Sequence, residues 1–222
     1  MTPKTTLAAL LAALALAAPG EPAATNAPTG GVDAIMQSLR KSFSSVRTVQ
    51  ARFVQEKTLK AFDRTIVLKG RLSVEKPDRL AWRVDVPIRY ALVLDGKYAW
   101  QWDEETNKVQ KRKTAGDPIF EEVLGQIEKW FSGRFAELTT SYDVALLSSD
   151  PLKLSFVPKK DELTGKAIRR VVVAIRADRK YVDSIEIEDV SGDRTLIRFL
   201  DVRLNRPVPA NEWNVDPDEA GS

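Results

Sequence analysis

The 222-residue chain has neither cysteine nor histidine. Without cysteine there is no disulfide framework, no thiol nucleophile and no thiolate metal site. Without histidine there is no Ser-His-Asp triad and no imidazole ligand for zinc. Glycine is sparse, and no glycine-rich phosphate loop occurs: Gly70, Gly96 and Gly192 stand singly at strand ends and turns. An excess of charge of one sign is also missing, since 34 Lys/Arg against 31 Asp/Glu leave a net charge of +3. That balance gives no electrostatic case for nucleic acid, whose binders gather basic residues on one face. One local run, NKVQKRK ending at Lys113, reads either as a solvated strand end or as a docking patch for an acidic partner or anionic lipid head groups. Carboxylate chemistry is what remains for catalysis. Asp183, Glu186, Glu188 and Asp189 cluster, but Glu186 and Glu188 fall on the polar side of an alternating strand. A glycosidase needs two carboxylates about 5 to 10 Å apart in a cleft, and no such pair stands out. The chain is therefore expected to be no enzyme and to need no cofactor or metal.

Beyond the N-terminus no apolar run is long enough to span a bilayer as a helix. At the N-terminus Lys4 supplies positive charge, Leu7 to Ala18 form an Ala/Leu run, and Ala15-Leu16-Ala17 is a small-x-small cleavage pattern. This is a secretory signal peptide over residues 1–17. Residues 18–31, rich in Pro, Ala, Thr and Gly, read as a flexible leader, and 32–222 as a single domain.

What the chain does have is aromatic alternation. In Gly70 to Trp102 the apolar residues recur with period two. Leu72 and Val74 face one way; Leu80, Trp82 and Val84 follow, then Leu92 and Leu94, then Tyr98, Trp100 and Trp102, all read onto one face of an antiparallel meander. Pro77-Asp78 and Asp95-Gly96 supply the corners. Ahead of it, Val32, Ile35, Met36, Leu39 and Phe43 mark an amphipathic helix, and Val49, Ala51 and Phe53 a long first strand. Strands resume at Tyr142 and continue through Leu204, and Trp213 is expected to pin an irregular tail.

One stretch breaks the period. From Asp117 to Phe131 the apolar residues Ile119, Phe120, Val123, Leu124, Ile127, Trp130 and Phe131 have helical spacing, with Asp117 as N-cap, Pro118 first in the helix and Gly133 after it. A sheet with a long apolar face must be covered, and this helix is the expected cover. Pattern alone leaves two alternatives open, a filled core and a lined cavity. The expected sheet-side lining is Phe53, Leu72, Val74, Leu80, Trp82, Leu92, Leu94 and Trp100.

These residues resemble the periplasmic outer-membrane lipoprotein carriers, the LolA-like family. The first strand VQARFVQ, from Val49 to Gln55, is similar to the family's A-x-F-x-Q strand. The resemblance is strongest over Gly70-x-Leu72-x-Val74-x-Lys76-Pro77-x-x-Leu80-x-Trp82, then Pro87 and Leu94-Asp95-Gly96-x-x-x-Trp100, with Trp213 where the family often has phenylalanine. It implies a mainly β fold with an α lid: an incomplete, strongly curved antiparallel β-barrel with helices over its concave face, Asp117 to Leu138 being the lid. It also implies a monomeric periplasmic carrier that binds the acyl chains of lipoproteins or other lipids. Its partners would be an inner-membrane ATP-driven lipoprotein transporter and an outer-membrane receptor. Other roles on the same fold are a lipid-sensing domain that binds a membrane protein, and a carrier of a non-lipoprotein lipid. Lys76 stands where the best-studied branch has an arginine that latches the lid. A lysine makes fewer fixed bonds than the planar guanidinium, which implies a looser latch.

Overall fold

The computed structural model of the chain describes residues 29–114, 129–130, 134–159, 165 and 167–215. The signal peptide, most of the leader, the extreme C-terminus and most of the expected lid lie outside these residues. Within them the chain is mainly β, as expected. Helix α1 (Thr29–Ser44) precedes β1 (Thr48–Leu59), β2 (Arg64–Glu75), β3 (Arg79–Val86), β4 (Tyr90–Asp95), β5 (Tyr98–Asp103) and β6 (Lys108–Lys113). After these come β7 (Tyr142–Ser149), β8 (Leu152–Pro158), β9 (Ile168–Ile175), β10 (Val182–Asp189) and β11 (Arg194–Leu204). The strands form one open antiparallel sheet in the order β6-β5-β4-β3-β2-β1-β11-β10-β9-β8-β7. Every neighbour is sequential except the β1–β11 pair, so the sheet is two meanders joined by its first and last strands, with edges at β6 and β7.

The chain divides into two compact units, and strands β1, β2 and β11 each run through both. The first takes in α1 as far as Phe43, Glu56–Ile66 and the chain from Gly133 to Ile197. Helix α1 starts at Thr29, three residues before the Val32 expected, inside the segment read as leader. It buries Val32, Met36, Leu39 and Phe43, the i, i+4, i+7, i+11 stripe the sequence displays. Phe43 meets Phe135 edge-on at 5.3 Å and lies 6.2 Å from the ring of Tyr181. Phe135 opens a 3-10 turn, Phe135–Thr140, and lies 6.3 Å from Phe156, which meets Tyr142 edge-on. These rings are the core of the first unit, each pair worth about 0.5–1.5 kcal/mol beyond its buried area.

The second unit contains Ser44–Gln55, the meander from Val67 onward and the chain after Ile197. Its register fixes which side chains share a face. Leu72 pairs with Trp82 and Trp82 with Leu92, while Val74 pairs with Leu80 and Leu80 with Leu94. Gly96, at φ +81°, makes the next corner, and the Asp95 carboxylate ties it by accepting from the backbone N–H of Lys97 and Tyr98 and from Trp100 Nε1. Partial burial raises the Asp95 pKa, but these hydrogen bonds together outweigh it and hold the carboxyl below the ordinary range.

That corner overturns one expectation. A two-residue turn pairs Leu94 with Ala99 and Val93 with Trp100, so even-numbered residues of β4 face odd-numbered residues of β5. Tyr98, Trp100 and Trp102 therefore lie on the face opposite to Leu92 and Leu94. Counting by twos through the turn, without counting the turn itself, put them on the wrong side.

Gly70 shows how tightly this unit is built. A Cβ at this position would lie 1.9 Å from the backbone oxygen of Arg83 and 2.7 Å from Phe53 Cζ. Since the nearer atom belongs to the backbone of a paired strand, it cannot swing away. Gly70→Ala is expected to destabilise the protein by roughly 2–3 kcal/mol, seen as a lower urea midpoint; an unchanged midpoint would show that β2 and β3 are looser here than drawn.

At the β6 edge all six side chains are exposed, and Lys111 Nζ sits 3.8 Å from the Tyr98 ring and 4.2 Å from that of Trp100. Lysines along an edge strand discourage pairing with another chain.

Candidate functional site

The two faces of the β2–β5 meander differ in what covers them. One carries Arg71, Ser73, Ala81, Arg83, Ala91, Val93, Trp100 and Trp102, as the register dictates. The chain's own C-terminal segment fills it. Trp213, in the 3-10 turn Ala210–Trp213, and Val215 pack against Ala81, Ala91, Val93 and Trp102. The Arg79 guanidinium lies 4.1 Å above the Trp213 ring. Trp213 thus pins the tail, as its position suggested.

Beneath the apolar contacts lies a polar clamp that the sequence pattern did not reveal. Arg83 Nη2 donates to the carbonyl oxygens of Asn211, Glu212 and Asn214. The Glu212 carboxylate accepts from Arg71 Nε at 3.2 Å and Ser73 Oγ at 3.4 Å and lies 3.7 Å from Arg83 Nε. Burial lowers the Arg83 pKa, and the charge of Glu212 opposes that shift. The one available signal was Arg83 itself, a charge inside the otherwise apolar run from Leu80 to Val84.

The opposite face carries Leu72, Val74, Leu80, Trp82, Val84, Tyr90, Leu92 and Leu94 across β2 to β4, all apolar or aromatic, and continues onto β5 with Ala99, the buried Gln101 and Asp103. Phe53 joins it from β1, stacked on Trp82 with ring centroids 4.1 Å apart; the space above Gly70 is what admits the Phe53 ring. The structure therefore brings together seven of the eight expected lining residues of the sheet and sets Trp100 apart with the tail. Of the expected lid, Trp130 is described and buried. Ile119, Phe120, Val123, Leu124, Ile127 and Phe131 lie outside the described residues. Lys76 stands at the β2–β3 corner, its backbone N–H donating to the Arg47 carbonyl at 2.9 Å.

The class of protein is a mainly β one whose meander is covered on one face by its own tail and is buried and apolar across β2 to β4 on the other. The family model described as outer membrane lipoprotein carrier protein LolA matches residues 44–216, and the chain belongs to that family. Curated relatives carry the same description, outer-membrane lipoprotein carrier protein. That of Halorhodospira halophila is 27% identical over 188 residues, covering 83% of this chain and 82% of its own. That of Chromohalobacter salexigens is 24% identical over 199 residues, covering 89% and 88%. Among solved structures, an uncharacterized conserved protein from Thermus thermophilus is similar in fold, with a TM-score of 0.53 at 11% identity over 85% of this chain and 96% of that one.

Proposed function

We propose that the chain is a non-enzymatic carrier that binds the acyl chains of lipoproteins, or of related lipids, against the Leu72–Leu94 face and moves them through the periplasm from the inner to the outer membrane. The observation that carries this is the division of the meander. The tail occupies one face and leaves a second, apolar face whose central residues come from three adjacent strands. The proposed lining is Phe53, Leu72, Val74, Leu80, Trp82, Leu92 and Leu94 on the sheet. From the lid it takes Ile119, Phe120, Val123, Leu124, Ile127, Trp130 and Phe131, with Lys76 as latch. Residues 1–17 are the export signal, 18–31 a leader that α1 enters at Thr29, and 32–222 the carrier.

The energetics suit a carrier. Burying about 15 methylenes is worth roughly 12 kcal/mol at ~0.8 kcal/mol each. A membrane offers the same chain a similar gain, so the protein need not improve the endpoint; it shields the chain from water between the two. Family membership and the relatives' shared description support this reading, and by the same resemblance the donor is an ATP-driven inner-membrane transporter and the acceptor an outer-membrane receptor. Protein recovered from the periplasm under gentle conditions should carry acylated species, lipoprotein or diacyl lipid, visible by mass spectrometry of the intact complex. Recovery of the protein with no acylated species under conditions that preserve a control carrier's cargo would refute the reading.

A further inference from the structure

We infer that Trp82 and Tyr90 form a polar subsite on the ligand face, one that binds the neutral carbonyl oxygens, ester or amide, at the head of an acyl chain. The inference rests on the carrier reading above. Trp82 pairs with Leu92 and Val84 with Tyr90, so the two side chains are diagonal neighbours on one face of β3 and β4, about 7–8 Å apart. Each carries a hydrogen-bond donor shielded from solvent, the indole N–H and the phenol O–H. Neither meets a hydrogen-bond partner among the described residues. Tyr90 is only 8% exposed.

The contrast within the same meander sharpens the point. Trp100 Nε1 donates to Asp95 at 3.3 Å and Trp102 Nε1 to Asn107 Oδ1 at 3.1 Å. The indoles of the tail-covered face are satisfied and the indole of the ligand face is not. A buried donor left unpaired costs folding free energy, and such groups are few in native proteins. Two of them side by side on a surface built for a ligand are explained by an acceptor that the ligand brings. Phe53, stacked on Trp82 at 4.1 Å, holds the indole plane.

The surroundings select among acceptors. Indole can only donate. Burial, and secondarily the charge of Asp103, push the Tyr90 pKa upward, so the phenol keeps its proton. Asp103 pairs directly with Tyr90 across β4 and β5, and the neighbouring positions Leu80, Val84 and Leu92 bring no cation. A carboxylate or phosphate would meet Asp103 as its first charged neighbour, Lys108 standing one strand further off across from Asp103; a neutral carbonyl avoids that repulsion. Acylated protein or glycerolipid therefore fits where free fatty acid or bare polyene does not.

The test uses two monomeric probes that differ by one carbonyl, a palmitoyl lysophosphatidylcholine and its hexadecyl ether counterpart, titrated below their micellar concentrations into the mature protein. The unaltered protein should bind the ester about tenfold more tightly than the ether, the equivalent of ~1.4 kcal/mol. Tyr90→Phe and Trp82→Phe should each shrink that ratio by about threefold. Tyr90→Phe should also leave the melting temperature of the ligand-free protein unchanged or raised, because an unpaired hydroxyl is gone. Equal affinity of the unaltered protein for both probes would overturn the subsite while leaving the carrier reading standing. A variant that weakens both probes alike would overturn it too. Binding of neither probe would instead remove the carrier reading, and the subsite with it.

Discussion

Glu212→Ala is expected to lower the stability of the protein by about 3 kcal/mol and to loosen the tail from the sheet. The reason lies in what the substitution leaves behind. Arg83 has a side chain only 5% exposed, and Glu212 is the carboxylate facing it at 3.7 Å. The same carboxylate takes bonds from Arg71 and Ser73. With Glu212 gone, Arg83 keeps its bonds to the three tail carbonyls, but a buried guanidinium loses its nearest countercharge and is left with only the weaker influence of Asp85, itself paired with Arg71, which costs more than the pair itself contributes. Arg83→Met should be costly for a different reason, since it strands those carbonyls. The double variant Arg83→Met, Glu212→Ala should then be less destabilised than the sum of the two, because neither charge is left alone. At ~2–4 °C per kcal/mol for a chain of this size, Glu212→Ala should lower the thermal midpoint by about 6–12 °C. A shift under about 2 °C, or strict additivity in the double variant, would mean that the clamp is solvated and holds nothing.

Under the proposed carrier function the clamp has a second role, closing one face of the meander to a ligand. Trp213 and Val215 make the tail-side layer apolar, and Arg83 and Glu212 lock its position. Without that lock the apolar side chains under the tail would be uncovered, and a large exposed apolar surface invites self-association. The Lys-rich β6 edge protects the same unit from pairing along its rim.

Much of this was legible from residues alone, because alternation is a direct consequence of the pleat. Leu72, Val74, Leu80, Trp82, Leu92 and Leu94 share a face because the β2–β3 and β3–β4 registers both pair even-numbered residues with even-numbered ones. The α1 stripe and the Asp95-Gly96 corner were equally plain. Trp100 was misplaced because face assignment across a hairpin depends on the sum of the paired residue numbers, a property of the turn and not of either strand. Arg83 stands out in the sequence as a charge between Trp82 and Val84, but its pairing with Glu212 is not legible. The two residues lie far apart in the chain and meet because the tail folds back onto β3, and nothing periodic links such positions. The donors of Trp82 and Tyr90, without a partner among the described residues, escape sequence reading for the same reason: an unmet hydrogen bond is visible only when the neighbours are in place.

Leu80→Glu is expected to reduce acyl-probe affinity by more than about a hundredfold, roughly 3 kcal/mol or more. Leu80 sits between Val74 and Leu94 on the ligand face and is 7% exposed. A carboxylate there is already largely out of water in the ligand-free protein, so the variant should melt lower than the parent while keeping its far-ultraviolet dichroism; an acyl chain laid over it removes the remaining water and adds the penalty read in binding. Covering by hydrocarbon disfavours the charged form and pushes the carboxyl pKa up. Binding should therefore recover in part as the pH falls from 7 toward 5, where the neutral acid is within reach, while the parent shows no such gain. Leu80→Ala, which removes methylenes and adds no charge, should cost far less and show no pH dependence. If Leu80→Glu unfolds the chain at every pH while Leu80→Ala binds normally, Leu80 is core and the ligand face must exclude it; if Leu80→Glu binds acyl chains like the parent, the face is not where they go.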